Sequence, residues 1–391
     1  MLSSGRRLTT TGPLSRVNCM NPYRPAEIGM SLAEVDTPAL ILDLDAFERN
    51  LDHMDASLKD KPVRLRPHAK SHKCPEIAER QMRRGAAGVC CQKVSEAEAM
   101  VDGGVPDVLV ANEVVGAPKL KRLAALAKRA RIAVCADDPG NVAALDEAAR
   151  AAGAKLDVLV EINVGANRCG VDPGEPALRL AQAISRSRNL RFAGLQAYQG
   201  AAQHLRKVED RRAAIESACA LVRETTELLE DARIPCERVT GAGTGTYLFE
   251  AVSGVYHELQ AGSYIFMDVD YAKNEWTESG IPRFEHSLFV WTTAMSRPVP
   301  DRAVVDAGLK ASSVDSGMPR VAELEGAEYV KASDEHGVLK LNGGVRLAVG
   351  DKLKLIPGHC DPTVNLYDQY VCVRNGRVEA LWPITARGAV W

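Results

Sequence analysis

The sequence has no stretch of about 18 consecutive apolar residues, the length a helix needs to cross a bilayer, so we expect no membrane-spanning helix. It also has no excess of charge of one sign, because 49 lysines and arginines stand against 51 aspartates and glutamates, for a formal net charge of −2. Proteins that bind nucleic acid through its phosphates carry a strongly basic face. The charge balance therefore disfavours nucleic acid as a partner.

A Cys-x-x-Cys pair is missing too, although the chain contains 10 cysteines. Their spacing follows no disulfide framework, and no apolar core of a secretory signal precedes them. Because disulfides belong mainly to secreted chains, we expect reduced thiols and a cytoplasmic protein.

The first 26 residues contain no acidic side chain but several arginines, serines and threonines. This composition resembles an organellar transit peptide. The alternative is a flexible extension with Met20 or Met30 as the working start, because chain ends fray. We favour the alternative and treat residues 1–34 as an N-terminal extension.

The sequence does contain enough apolar material for a large core, since 46% of its 391 residues are hydrophobic. Between residues 35 and 280, eight short apolar runs alternate with amphipathic segments, which is the pattern of an α/β protein with a (β/α)8 TIM barrel. Asp45, followed by Glu48, predicts a capped helix just before the first barrel strand. The eight predicted strands are 64–69, 88–92, 107–112, 131–136, 157–163, 191–198, 236–240 and 258–266.

Residues 281–391 show a different pattern, with short β-rich runs separated by glycine, proline and aspartate. No long helical period intervenes, so this part is predicted to be a separate all-β domain. The run 38–43 has no place in the count of eight barrel strands and is a candidate strand of the same β domain.

Chemistry in such a barrel is expected where the strands end. The first strand ends in Arg66-Pro67-His68-Ala69-Lys70, and strand alternation places Arg66, His68 and Lys70 on one face. A lysine at the inner end of a barrel strand is costly unless it is paired or used as a nucleophile, because burial penalises its ammonium form. A nucleophilic lysine needs a lowered pKa. The alternative is a solvated lysine at the rim.

Two glycine-containing segments follow the last two predicted strands or lie within them: 241–246 and Gly262-Ser263-Tyr264. Such segments expose N–H and hydroxyl donors that can cradle a phosphate, and barrels often bind phosphate after strands seven and eight. Tight turns use the same residues. In combination with Lys70, however, they point to pyridoxal phosphate, which needs a lysine and donors for its phosphate.

At these residues the sequence resembles the fold-type III pyridoxal phosphate enzymes, a family that includes alanine racemase, D-threonine aldolase and D-serine dehydratase. The resemblance covers about residues 35–390 and includes the lysine of PHAK, the arginine of NRCGV and the segment GSY. Within the family, the sequence is most similar to the 3-hydroxy-D-aspartate aldolases. The segments that carry this similarity are GVCCQKVSEAEA, GLQAYQGAAQH, ELQAGSYIFMDVDY, VVDAGLKASSVDSG, SDEHGV and PGHCDPT.

The resemblance implies a role for each matching residue. Lys70 would hold the cofactor covalently and move the α-proton, while Arg168 would face the phenolic oxygen of the cofactor. Gln92 and Tyr198 would line its ring. The residues expected at the phosphate are Thr244, Gly245, Thr246, Gly262, Ser263 and Tyr264. Gln260 replaces the arginine that bacterial alanine racemases place against the pyridine nitrogen, which disfavours racemase chemistry.

The predicted β domain contains Gly358-His359-Cys360-Asp361-Pro362. In an extended segment, His359 and Asp361 would point to the same side and Cys360 to the other, which suggests half of a divalent metal site. Surface His-x-Asp pairs are far more often unrelated to metals. The matching residues of the resembling aldolases and dehydratases bind a metal, however. An aspartate ligand favours Mg²⁺ or Mn²⁺ over Zn²⁺.

Other residues have weaker support. His336 is a candidate for proton transfer or for holding a metal-bound water, with a structural histidine as the alternative. Lys310 and Asp315 are candidates for contacting the far carboxylate of a substrate or for stabilising their loop. The histidines expected to be structural or exposed are His53, His72, His204, His257 and His286.

The resemblance therefore implies a lyase that cleaves 3-hydroxy-D-aspartate to glycine and glyoxylate or catalyses the reverse condensation, and that also accepts substrates such as D-threonine. One alternative is a dehydratase acting on D-serine or 3-hydroxyaspartate, for which a preference for Zn²⁺ would argue. A non-catalytic cofactor-binding barrel would lack the β domain, and a metal-only hydrolase would leave Lys70 and the phosphate segments unexplained. The family also implies a homodimer in which each β domain caps the partner's site.

Overall fold

A computed structural model of the chain describes residues 24–276 and 284–391. Most of the predicted N-terminal extension, residues 1–23, lies outside the described residues. Residues 24–34 pack on the β domain: the Gly29 N–H donates to the Val378 carbonyl at 2.8 Å, and Ala26 is buried. A 3₁₀ turn at Leu32–Glu34 leads into strand β1 (Ala39–Asp43).

Eight parallel strands form the barrel that the sequence predicts. The strands are β2 (Arg64–Leu65), β3 (Val89–Cys91), β4 (Asp107–Glu113), β5 (Arg131–Ala136), β6 (Leu156–Glu161), β7 (Leu190–Gln196), β8 (Val239–Gly241) and β9 (Glu258–Leu259). From β3 to β9 each strand pairs with the next along the chain, and β9 pairs with β2. A single bridge between His68 and Cys90 joins the first strand to β3 and closes the circle.

The first and last barrel strands are shorter than predicted. The run 64–69 is regular strand only over Arg64–Leu65, because Pro67 has no N–H to donate to a neighbouring strand. The run 258–266 ends as a strand at Leu259 and bends into a 3₁₀ turn at Ser263–Ile265. A Cβ on Gly262 would meet the Ser71 Oγ at 2.7 Å, so the close approach at this bend needs a glycine.

Helices cover the outside of the barrel. They are α1 (Leu44–Leu58), α2 (Pro75–Arg83), α3 (Val94–Asp102), α4 (Ala117–Leu126), α5 (Pro139–Ala152), α6 (Glu175–Arg186), α7 (Val208–Asp231), α8 (Tyr247–Ala251) and α9 (Val269–Ala272). The cap of α1 is Asp43, whose carboxylate accepts the Ala46 N–H at 3.0 Å, two residues before the predicted Asp45. Asp45 instead contacts Arg374 of the β domain, as does Glu48. No helix in the described parts of the chain is long and apolar enough to cross a membrane.

The β domain is a nine-stranded sheet that β1 joins, between an antiparallel and a parallel neighbour. Its other strands are β10 (Leu288–Val299), β11 (Arg302–Val305), β12 (Arg320–Val321), β13 (Ala327–Ala332), β14 (Gly337–Leu341), β15 (Lys352–Ile356), β16 (Gln369–Arg374) and β17 (Arg377–Pro383). The short helix α10 (Cys360–Val364) lies between β15 and β16. This helix places the His-x-Asp segment against the barrel.

Buried charges close the N-terminal face of the barrel. The guanidinium of Arg66 binds the carboxylates of Glu258 at 2.8 Å and Asp107 at 2.7 Å, and its side chain is only 2% exposed. Each of the two carboxylates begins a different strand, so Arg66 links β4 to β9 across the barrel floor. Arg66 therefore serves the stability face of the barrel, whereas His68 and Lys70 lie toward the other end.

We predict that Arg66→Met destabilises the fold by about 2–4 kcal/mol, because it removes the cation closest to both carboxylates and leaves Glu258 and Asp107 with the more distant Arg238 and Arg131, at 3.6 and 3.8 Å. Arg83→Met removes an exposed arginine paired with Glu79 and serves as the control, with an expected loss below about 1 kcal/mol. Urea unfolding followed by circular dichroism measures both. Equal small losses in the two variants would contradict the structural role of Arg66.

Candidate active site

A cavity of about 150 Å³ lies at the C-terminal ends of the barrel strands. Residues from seven of the barrel strands or the loops that follow them, together with α9, surround it. Its lining consists of His68, Lys70, Ser71, Gln92, Ala111, Arg168, Gln196, Tyr198, Ala242, Gly243, Thr244, Gln260, Gly262, Ser263 and Tyr271. The structure thus brings seven of the predicted residues to one cavity: Lys70, Gln92, Arg168, Tyr198, Thr244, Gly262 and Ser263.

Lys70 lies in the turn after the first barrel strand, and its ammonium contacts the Asp361 carboxylate at 2.9 Å. The attraction to Asp361 raises the pKa of Lys70 and outweighs burial, which acts in the opposite direction. Burial likewise opposes ionisation of Asp361, but the Lys70 ammonium lowers the pKa of Asp361 to about 2. The lowered pKa expected for a nucleophilic lysine is therefore absent while Asp361 remains its partner.

His68 and Gln92 form one wall of the cavity. The Gln92 amide nitrogen lies 2.8 Å from Nε2 of His68, and Nδ1 of His68 lies 3.4 Å from the Lys70 N–H. Burial holds the pKa of His68 well below its ordinary value, so the ring is neutral and can accept a hydrogen bond. The Asn112 amide donates to the Gln92 carbonyl at 3.0 Å and fixes that strand end.

The predicted phosphate segments differ in how far their donors are already used. The Thr244 hydroxyl is buried and has no hydrogen-bond partner among the described residues. The Gly245 N–H donates to Oε1 of Gln203 at 2.9 Å, and the Thr246 hydroxyl binds Glu250 and Gln203, so these two residues brace the loop from behind.

Only part of the second predicted phosphate segment lines the cavity. Gly262 and Ser263 line the cavity, but the Tyr264 side chain does not. Its hydroxyl accepts a hydrogen bond from Gln81 at 3.1 Å, and its ring packs on Phe284.

Gln260 and Gln196 form a reciprocal amide pair in the lining. Nε2 of Gln260 donates to Gln196 at 2.7 Å and to the Thr240 hydroxyl at 2.9 Å, and Gln196 donates back to Gln260 at 3.1 Å. Both glutamines are buried. Gln260, the residue expected to replace the arginine of bacterial alanine racemases, therefore adds a neutral amide and no charge to the cavity lining.

Arg168 and Tyr198 lie together at the cavity mouth, where the guanidinium carbon is 5.6 Å from the centre of the tyrosine ring. Arg168 belongs to the loop after β6 and is exposed. Burial raises the pKa of Tyr198, so its hydroxyl remains protonated near neutral pH.

The His-x-Asp segment is not the extended strand that the sequence suggested. His359 is extended, but Cys360 begins α10, because the Cys360 N–H binds the Asp268 carboxylate at 3.1 Å and turns the chain. The Cys360 thiol lies 3.2 Å from the Met267 carbonyl, so it does point away from the pair. Nδ1 of His359 lies 2.8 Å from the Asp315 carboxylate.

His336 and Lys310 lie outside the cavity lining. His336 is exposed at the turn between β13 and β14, and the Lys310 ammonium binds Glu335 at 2.5 Å on the same surface. Asp315 therefore contacts His359, whereas Lys310 pairs with Glu335 on the surface. Within residues 24–276 and 284–391, no group of three or more histidine, cysteine, aspartate or glutamate side chains is placed to hold a metal.

Two family models match this chain, one over the barrel and one over the β domain. The model of the alanine racemase N-terminal domain matches residues 42–270, which is more than half of the sequence. The chain belongs to the alanine racemase N-terminal domain family. A second model, of the serine dehydratase domain, matches residues 287–373.

Relatives of this racemase-type chain include proteins of several activities. The 3-hydroxy-D-aspartate aldolase of Paracoccus denitrificans (strain Pd 1222) is 50% identical over 371 residues, 93% of this chain and 95% of the relative. The crystal structure of D-threonine aldolase from Filomicrobium marinum has a TM-score of 0.92 and 54% identity, and covers 94% of this chain and 100% of that one. The D-threo-3-hydroxyaspartate dehydratase of Delftia sp. (strain HT23) is 29% identical over 87% of this chain and 94% of its own.

Sequence reasoning missed several lining residues of this racemase-type barrel. The sequence indicates His68 only as a neighbour of Lys70. It does not single out Gln196, which is the last residue of β7. Tyr271 lines the cavity from α9, and its ring lies 6.1 Å from that of His204, which binds Asp270 at 2.7 Å. A search for polar residues at every strand end would have found Gln196. Tyr271 carries no comparable signal.

We predict that Asp361→Asn lowers the pKa of Lys70 by at least about one unit, because burial then acts on the ammonium without its counter-ion. Acetylation of Lys70 as a function of pH, quantified by mass spectrometry on protein freed of metal by a chelator and of pyridoxal phosphate by hydroxylamine, measures the change. Glu335→Gln, which removes the exposed partner of Lys310, is the control and should leave Lys70 unaffected. An unchanged acetylation profile in Asp361→Asn would contradict the pairing.

Proposed function

We propose that this chain is a pyridoxal phosphate- and divalent metal-dependent aldolase that cleaves 3-hydroxy-D-aspartate to glycine and glyoxylate and condenses them in reverse, and that D-threonine is a further substrate. The observation that supports the proposal is the contact between Lys70 and Asp361, because the expected metal ligand lies 2.9 Å from the ammonium of the expected cofactor lysine. The identity of about half to aldolases over 93% or more of the chain supports the same reading.

The residues of the cavity suit pyridoxal phosphate. A buried hydroxyl without a partner, such as that of Thr244, normally finds a ligand or water, and it lines the same cavity as Lys70. Thr244, Gly262 and Ser263 would hold the phosphate, with Gly245 and Thr246 bracing the loop. Tyr264 would contribute its backbone only, since its hydroxyl is bound to Gln81.

The donor set at the β domain suits a hard divalent cation. His359 offers its second ring nitrogen while Asp315 holds the first, the arrangement that orients most metal-binding histidines. Asp361 adds carboxylate oxygen, which favours Mg²⁺ or Mn²⁺. Two protein ligands would leave positions for water and for the hydroxyl of a substrate.

The chain's own residues divide the work of an aldol cleavage. Bound here, pyridoxal phosphate supplies an electron sink for the Cα–Cβ bond that breaks, and the metal polarises the β-hydroxyl. Lys70 would hold the cofactor and deliver the proton that turns the remaining fragment into glycine, and the proton of the β-hydroxyl would pass to water at the metal site. The Gln196–Gln260 pair offers only neutral amides to the cofactor ring.

The runner-up is a dehydratase, which would expel hydroxide and release oxaloacetate and ammonia from the same substrate. A dehydratase relative is 29% identical, well below the aldolases. No contact in the cavity favours this activity over cleavage.

We further propose a homodimer and a cytoplasmic location. In the single chain His336 is exposed and does not line the cavity, so a role for His336 in proton handling would suit a second copy that places it at the partner's cavity.

The product of the reaction decides between the two activities. With purified protein, pyridoxal phosphate, Mn²⁺ and 3-hydroxy-D-aspartate, we expect glyoxylate and glycine in equal amounts. The activity should disappear with a chelator and in Lys70→Ala, because each removes one of the two groups that meet at the cavity. Oxaloacetate with ammonia would contradict the aldolase and support the dehydratase.

We predict that Asp315→Asn weakens Mn²⁺ binding about 10–100-fold, because His359 loses the carboxylate that orients its ring. Isothermal titration of the protein with Mn²⁺ measures the affinity. Asp334→Asn, at an exposed position of the neighbouring turn, is the control and should bind as the parent does. Equal affinities of the Asp315→Asn variant and the parent would show that Asp315 has no part in the site.

A further inference from the structure

Lys273 directly follows α9, the helix that contributes Tyr271 to the cavity lining. Its side chain is 49% exposed, and its ammonium makes no hydrogen bond among the residues that the structure describes. Its nearest carboxylate oxygen is Oδ1 of Asp270, at 4.0 Å. Lys273 thus presents a positive charge that the fold does not use for a close contact.

Asp270 is already neutralised by other groups. Its Oδ2 lies 2.7 Å from the ring of His204, and its Oδ1 binds the guanidinium of Arg206 at 2.5 Å. Arg206 is held in place by further contacts, because its Nη1 also donates to the Asp270 carbonyl and to the side chain of Asn274, each at 2.8 Å. The available charge in this group of residues is therefore that of Lys273.

The ammonium of Lys273 lies beside the segment that carries the proposed metal ligands. A Cβ built on Gly317 would be 3.6 Å from Nζ of Lys273. The Gly317 carbonyl in turn packs on Gly358, the residue before His359, so closely that a Cβ there would lie 2.0 Å from it. The Asp270 N–H also binds the Gly358 carbonyl at 3.3 Å, which ties α9 to the same segment.

This position matters because of the shape of the substrate. In 3-hydroxyaspartate the hydroxyl and the second carboxylate are attached to the same carbon. If the hydroxyl is held at His359 and Asp361, the second carboxylate must lie next to that segment, and a cation there can bind it with a charge-assisted hydrogen bond. D-Threonine carries a methyl group at this position and offers nothing for a cation to bind.

We propose that Lys273 binds the second carboxylate of the substrate and thereby selects 3-hydroxy-D-aspartate over D-threonine. The proposal rests on the aldolase function proposed above. The other cations near the cavity already have partners or proposed roles: Lys70 and Arg168 belong to the proposed cofactor site, and Arg206 binds Asp270 and Asn274. Lys310, which the sequence suggested for this role, is paired with Glu335 at 2.5 Å on the surface.

The test compares the two substrates in Lys273→Met. We expect kcat/KM for 3-hydroxy-D-aspartate to fall at least about tenfold, the loss of one hydrogen bond to a charged group, while kcat/KM for D-threonine stays within about twofold. Lys273→Arg should retain most of the preference, because it keeps the charge. Lys310→Met is the control and should leave both substrates unaffected.

A second measurement does not depend on turnover. D-Aspartate and D-alanine both lack the hydroxyl, and their binding to the holoenzyme can be followed by the visible absorbance of the cofactor. Lys273→Met should weaken D-aspartate about tenfold and leave D-alanine unchanged. If Lys273→Met lowered kcat/KM equally for the two substrates, or weakened D-aspartate and D-alanine equally, Lys273 would have a structural role and the proposal would be overturned. No loss with 3-hydroxy-D-aspartate and D-aspartate would also overturn it. The parent enzyme could also cleave neither substrate and still bind D-aspartate more tightly than D-alanine, with Lys273→Met removing that preference. This result would refute the proposed aldolase activity but support the carboxylate-binding role of Lys273.

Discussion

The ion pair between Lys70 and Asp361 is the contact on which the candidate site depends. Lys70 comes from the turn after the first barrel strand and Asp361 from α10 of the β domain, so the pair joins the cavity of the barrel to the β domain. Each group stabilises the charged form of the other, in opposition to the effect of burial on both pKa values. Neither half of the chain holds a complete site by itself.

Contacts between the barrel and the β domain keep this junction in register. The Cys360 N–H binds the Asp268 carboxylate, and the Asp270 N–H binds the Gly358 carbonyl. The barrel is also closed beside Lys70, through the single bridge at His68 and Cys90. The site therefore lies where three parts of the chain meet: the closure of the barrel between the first strand and β3, the turn after the first strand, and the β domain. A shift in any one of these parts would move Lys70.

Much of this was readable in the sequence. The alternation of apolar runs predicted the barrel, and the end of the first strand pointed to Lys70, because both follow from local periodicity. Gln92 and Tyr198 were expected from the family resemblance. The bend at α10 was not predictable, since it depends on Asp268, a residue distant in sequence that captures the Cys360 N–H. The same holds for Tyr264, whose hydroxyl is drawn away from the cavity by Gln81. Long-range hydrogen bonds of this kind leave no periodic trace.

The central claim is that one cavity holds both the cofactor lysine and the metal ligands. Diffraction from crystals of the holoenzyme soaked in Mn²⁺, with anomalous data, tests it most directly. The account predicts density continuous from Nζ of Lys70 into the cofactor and a manganese peak bound by both His359 and Asp361. A manganese peak elsewhere, or a cofactor attached to a different lysine, would contradict it.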